Sequence, residues 1–190
     1  MSREEYLAKS HIIEQQTVEL QPLEADGFIL DIGGGGEGII GKLNGRQVAA
    51  IDKRPSELEE VENESLKIIM DATDLKFLDE TFGVVTSFFT MMYIPKDQIE
   101  KIFAEAHRVL RRGGRLLIWD VKIPERVEGK KHFVLPLRVI LPDEEVETGY
   151  GVRIQKQDQH TFKEQAAQTG LEVSDEWEKD EIFFLELRKP

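Results

Sequence analysis

From residue 28 onward, short apolar runs alternate with longer segments whose apolar positions recur at helical spacing. The runs at residues 28–32, 47–51, 66–70, 83–88 and 115–120 are each five or six residues long and nearly continuous in apolar side chains. Runs of that kind suit strands buried on both faces, and the segments between them suit crossover helices, so the pattern predicts a parallel sheet. Between the fourth and fifth runs, Ile99, Ile102, Phe103, Ala106, Val109 and Leu110 fall on one face of a helix over 97–111, which Gly113-Gly114 is expected to end.

After the fifth run the alternation changes. Residues 133–141 and 146–154 read as two strands bridged by Pro142-Asp143-Glu144, an antiparallel hairpin beside the sheet, and Pro136 and Pro142 assign it to an edge. Thr161 is expected to cap a helix running through Thr169, Gly170 to stop it, and residues 171–177 and 181–187 to form a closing strand pair. Residues 2–16 suit an exposed leading helix carrying Tyr6, Leu7, Ile12 and Ile13. The expected organisation is one α/β domain over 1–190, with an N-terminal helical segment at 1–26 and an inserted hairpin at 122–159.

Composition narrows the chemistry. The 190 residues include no cysteine, which removes thiolate metal sites and cysteine nucleophiles and fits a reducing cytoplasm. Met1-Ser2-Arg3-Glu4-Glu5 lacks the basic start and apolar run of an export signal, and the longest nearly apolar stretch, 84–94, is far shorter than the roughly 20 residues of a membrane helix. A net charge of −12 opposes phosphate backbones, so nucleic acid is disfavoured as a partner and no membrane insertion is expected.

Candidate chemistry begins at Ile29-Leu30-Asp31-Ile32-Gly33-Gly34-Gly35-Gly36-Glu37-Gly38, a strand running into a glycine turn and then a helix. Such a turn admits a ligand close to the backbone. Gly33, Gly35 and Gly38 satisfy the dinucleotide spacing G-x-G-x-x-G, and Asp52 ends the next strand where a ribose-binding acid belongs. Gly36 to Lys42 spells most of a P-loop, but Leu43 stands where a magnesium-binding hydroxyl is required. Charge separates the remaining ligands: Asp31 and Glu37 oppose a pyrophosphate and suit S-adenosylmethionine, which brings an ammonium and a sulfonium. Asp31 is then expected to hold the amino group, with glycine carbonyls and amides taking the rest of the methionine portion.

These residues resemble the class I S-adenosylmethionine-dependent methyltransferases, particularly the small group that includes ubiquinone and menaquinone biosynthesis enzymes. The resemblance runs from about Gly27 to the C-terminus. Leu30-Asp31-Ile32-Gly33-Gly34-Gly35 is similar to that family's first motif, whose usual third glycine falls here on Glu37. Val48-Ala49-Ala50-Ile51-Asp52 resembles the second, and implies that Asp52 accepts hydrogen bonds from both ribose hydroxyls while Lys53 lies by the adenine edge. Asp71-Ala72 matches the position of the acid and amide that meet the adenine, although a local helix-capping role for Asp71 is as good a reading. The segment from Ala106 through Arg111-Arg112-Gly113-Gly114 to Leu116 resembles the family's approach to its fifth strand. The fold implied is a doubly wound, Rossmann-like mixed sheet in the order 3-2-1-4-5-7-6, with S-adenosyl-L-homocysteine as the product of the cofactor.

Methyl transfer from a sulfonium is an in-line displacement, so positioning the acceptor supplies much of the acceleration. The stretch from Thr86 to Tyr93 is the one that in this fold faces methyl group and acceptor. Phe88 joins the expected cofactor contacts there, with core packing as its alternative and as that of Phe89, Met91 and Met92. It lacks the Asn/Asp-Pro-Pro-Tyr motif of amino-directed DNA methylases, which leaves a small-molecule acceptor. Candidate bases are Tyr93, Asp120, His132 and Tyr150. The competing functions are a NAD-type dinucleotide-binding oxidoreductase and a non-catalytic S-adenosylmethionine-binding module.

Overall fold

The computed structural model describes residues 2–190. A seven-stranded sheet is built from β3 (Ile29–Ile32), β4 (Val48–Asp52), β5 (Leu66–Ile69), β6 (Phe82–Phe88), β7 (Leu110–Val121), β10 (Glu172–Lys179) and β11 (Ile182–Arg188). Across the sheet the order is β10-β11-β7-β6-β3-β4-β5. The strands from β7 to β5 are mutually parallel, whereas β11 runs antiparallel to β7 and β10 antiparallel to β11. The chain steps outward from β3 to β4 and β5, then returns to the other side of β3 with β6. That reversal opens a crevice at the carboxyl ends of β3 and β6, where ligands bind in such sheets.

Strand alternation sends side chains to two separate cores. One face, carrying Leu30, Ile32, Val85, Leu116 and Ile118, is covered by α4 (Lys96–Val109) and α5 (Gln159–Gln168). The opposite face, carrying Ile29, Val48, Ala50, Val84, Leu117, Trp119 and Phe184, is covered by α2 (Ile39–Asn44) and α3 (Pro55–Glu59) at one end. At its other end a small second sheet takes the place of helices.

That second sheet overturns the expected N-terminal helical segment. Only α1 (Arg3–Ala8) is helical, and it is followed by β1 (Ser10–Ile12) and β2 (Gln16–Glu19), which both pair in parallel with β8 (His132–Ile140). The antiparallel β9 (Glu145–Arg153) holds the other side of β8. The physical reason is burial with period two: Gln16, Val18 and Leu20 turn inward while Thr17 and Glu19 do not, and β8 buries Phe133, Leu135, Leu137 and Val139. The hairpin therefore belongs to a separate sheet, with β8 at its centre and β9 at its edge, and Pro136 is tolerated in β8 because the partner strand breaks between β1 and β2 opposite it.

Two helix boundaries also differ from the sequence expectation. Helix α4 ends at Val109, and the chain is already extended at Leu110, so Gly113-Gly114 form a bulge inside the start of β7, where the pairing register with β6 shifts. Helix α5 is capped by Asp158, whose carboxylate accepts from the Thr161 amide at 2.8 Å. The short α3, opened by Pro55 at its first position, supplies the helix expected between β4 and β5. Among the described residues no helix is long and apolar enough to cross a membrane.

Candidate active site

A cavity of about 490 Å³ opens over the carboxyl ends of β3, β4, β5 and β6, within the size range of small-molecule sites. Its wall includes Asp31, Gly33, Gly34, Gly35, Asp52, Lys53, Asp71, Ala72 and Phe88, so every residue expected to contact a cofactor is brought to one place. Tyr93 and Tyr150 line it too. Asp120 and His132 are not in that wall.

The turn after β3 is shaped by close approach. Gly33 has φ 73°, and a Cβ there would lie 2.3 Å from the Thr90 side chain. A Cβ on Gly35 would meet the Glu57 side chain at 2.5 Å and the Asp52 carboxylate at 3.2 Å. Glycine thus lets β6 and α3 close on the turn. The amides of Gly33 and Gly34 both donate to the Ile51 carbonyl, at 2.9 and 3.1 Å, and that of Gly36 donates to the Glu57 carbonyl at 2.8 Å. These three amides bind the turn to β4 and α3.

Asp31 is buried, and its Oδ1 accepts a 2.7 Å hydrogen bond from the Thr86 hydroxyl on the neighbouring strand. Burial pushes its carboxyl up to about 7, against the opposing pull of that hydroxyl. Asp52 ends β4 with Oδ1 taking the Arg54 amide at 2.8 Å, while Oδ2 faces Gly35. The Arg54 guanidinium lies 3.7 Å from Asp52 and 3.0 Å from Glu57. Asp71 accepts from both the amide and the hydroxyl of Thr73 at 2.8 Å, and these bonds hold its carboxylate below the usual range. The local turn-capping reading of Asp71 is thus realised at the cavity wall.

The far end of the cavity is aromatic. Phe89, Tyr93 and Tyr150 line it, with the Phe89 and Tyr150 rings stacked at 5.8 Å and those of Tyr93 and Tyr150 perpendicular at 6.5 Å. Burial is the main cause that pushes the Tyr93 phenol up to about 12 and the Tyr150 phenol higher still, so neither ionises near neutral pH. Phe89 holds φ 47°, rare for a bulky residue, and is pinned by its amide donating to the Trp119 carbonyl at 2.8 Å.

Two of the candidate bases have structural duties instead. Asp120 is fully buried, and its carboxylate accepts from the Val121 amide, the Gln157 side chain and the Met92 amide at 2.8, 2.7 and 3.3 Å. It ties the turn after β6 to the segment before α5. His132 packs its ring 4.6 Å from that of Tyr6 on α1. Sequence reading missed the partners of Glu37: Thr148 and Tyr150, both on β9, donate to its carboxylate, the latter at 3.2 Å. Their separation of 111 and 113 positions leaves no local signal.

The fold, with its glycine turn at the switch point and its closing antiparallel strand pair, is that of the class I S-adenosylmethionine-dependent methyltransferases. Residues 30–118 match the methyltransferase domain family. Over 72 residues the chain is 31% identical to a demethylmenaquinone methyltransferase of Bacteroides fragilis, a match covering 38% of this chain and 29% of that relative. Among solved structures, a Methanosarcina mazei S-adenosylmethionine-dependent methyltransferase superposes with a TM-score of 0.66 at 16% identity, covering 90% of this chain and 99% of that one. A protein of Pyrococcus horikoshii OT3 gives 0.66 at 15% identity, covering 86% and 83%.

Proposed function

We propose that the protein binds S-adenosylmethionine in this cavity and transfers its methyl group to a small-molecule acceptor, releasing S-adenosyl-L-homocysteine. The observation that carries the reading is Asp31: a buried carboxyl, hydrogen-bonded only on one side by Thr86, at the wall of a cavity of nucleoside size. A cationic amino group is the partner that recovers the cost of ionising it there, and a phosphate would deepen that cost. Asp52 Oδ2 is the ribose acceptor in this reading, Ala72 and Lys53 flank the adenine, and Phe88 borders the methyl end. The bound molecule supplies an electrophilic methyl on sulfur; the chain's own groups orient it and exclude water.

Calorimetric titration of the whole protein with S-adenosyl-L-homocysteine and, separately, NAD tests the assignment. Binding of the first and not the second is expected, and the reverse preference defeats it. Incubation of a metabolite extract with protein and isotopically labelled S-adenosylmethionine then separates an enzyme from a non-catalytic binder, since only turnover labels a product.

A further inference from the structure

The aromatic end of the cavity has a chemical character that the cofactor reading does not use. Phe89, Tyr93 and Tyr150 present two ring directions, one stacked pair and one perpendicular face. Behind them lies the Glu37 carboxylate, held by Thr148 and Tyr150. The cations in the cavity wall are Lys53 and Arg54, both following β4, and Arg54 is paired with Asp52 and Glu57. Tyr93 is 45% exposed, which places it at the mouth of the cavity.

Resting on the S-adenosylmethionine assignment above, we propose that Phe89, Tyr93, Tyr150 and Glu37 form the acceptor subsite and select an amine, which docks as an ammonium ion. Ring faces attract a desolvated cation, and a carboxylate adds to that attraction. An anionic acceptor meets Glu37 and Asp31, while of the two cations in the wall Arg54 is paired with Asp52 and Glu57 and Lys53 flanks the adenine in the reading above. A phenol or carbon acid becomes an anion when it loses its proton and then stands against Glu37 and Asp31, whereas an amine becomes neutral.

An amine needs only to lose one proton before attack. That proton passes from the ammonium to the Glu37 carboxylate, freeing the nitrogen lone pair. The N–C bond then forms as the S–C bond breaks: the sulfonium becomes a neutral thioether, and the methylated nitrogen leaves as a new ammonium. Glu37 returns its proton to water.

The test is calorimetric titration of the full chain, saturated with S-adenosyl-L-homocysteine, with benzyltrimethylammonium, benzyl alcohol and benzoate. The ammonium should bind, and benzoate should not. Tyr150→Leu and Glu37→Gln should each weaken the ammonium roughly 2- to 30-fold. Tyr93→Leu, at the exposed mouth, should do the same and keeps the test alive where Tyr150→Leu does not fold by thermal melting. Benzoate or benzyl alcohol binding as tightly as the ammonium overturns the proposal, as does an ammonium affinity indifferent to all three variants. Failure of S-adenosyl-L-homocysteine itself to bind defeats the cofactor reading and this inference together; S-adenosyl-L-homocysteine binding without ammonium binding overturns the inference alone.

Discussion

Tyr150 on β9 donates a hydrogen bond to Glu37 in the glycine turn, across 113 positions of sequence. The bond joins the two sheets at the cavity, so the turn that walls the cavity also carries the roof over its far end. Removal of residues 130–154 is therefore a poor probe of that roof. Phe133, Leu135, Leu137 and Val139 are part of the core beneath, and each exposed apolar side chain of this size costs about 1.5–3 kcal/mol. Point variants are the informative tool.

Asp52→Ala removes the acceptor assigned to the ribose hydroxyls. Hydrogen bonds to a charged group contribute about 1.5–3 kcal/mol, so S-adenosyl-L-homocysteine should bind roughly 10- to 150-fold more weakly by calorimetry. An unchanged dissociation constant removes Asp52 from the ribose site.

Asp31 should make cofactor binding pH-dependent. Its carboxyl sits at about 7 in the free protein, and an ammonium ligand requires it ionised. Affinity should thus be highest above pH 7 and fall toward about tenfold per pH step below it, as the site must release a proton to bind. Asp31→Asn should bind weakly with a flat profile; a flat profile in the native protein contradicts the ammonium contact.

Gly33→Ala meets two obstacles: a positive φ and the Thr90 side chain 2.3 Å from the new Cβ. The left-handed conformation alone costs about 1–2 kcal/mol. Thermal melting should fall by about 2–8 °C or more. Thr90→Ala in the same chain should recover part of the loss, because it removes the nearest clashing atoms and leaves the backbone term; no recovery at all speaks against the contact.

Asp120 should reveal itself through stability and not through binding. Burial pushes its carboxyl from 3.8 to about 7, so the folded state holds its proton over a range where the unfolded chain has lost it. Stability from this group therefore declines as pH rises from about 4 to about 7, by up to about 4 kcal/mol. Asp120→Asn should flatten part of that decline in denaturant melts. At pH 5 the variant should be less stable than the native protein by about 1–3 kcal/mol, since one amide donor now faces another donor. Cofactor affinity should stay within twofold, and a large loss there would return Asp120 to the binding site.

The main sheet and the cofactor wall were readable in the sequence because both depend on local order. Continuous apolar runs mark strands buried on two faces, and an acid at a strand end reaches the crevice wherever the strand itself is placed. Asp52 was placed by that logic, Asp31 by the charge around the glycine turn and Asp71 by the family resemblance, and all three line the cavity. Residues 10–20 were misread because the alternation of Gln16, Val18 and Leu20 is short, and its strand character is fixed only by pairing with β8. Asp120 also ends the buried part of a strand, yet its carboxylate turns to the Met92 and Val121 amides, a choice made by neighbours 28 and 1 positions away.

The sequence by itself determined the alternation of strands and helices, the glycine turn and the acids at or just past the carboxyl ends of β3, β4 and β5, because each depends on side-chain period or backbone freedom within a few residues. Tertiary structure alone decided that a second sheet covers one face, that the amides of Gly33, Gly34 and Gly36 serve β4 and α3, and that Glu37 belongs to Thr148 and Tyr150. Those outcomes are pairings between distant segments, set by which polar groups find partners when the two sheets close and water is removed.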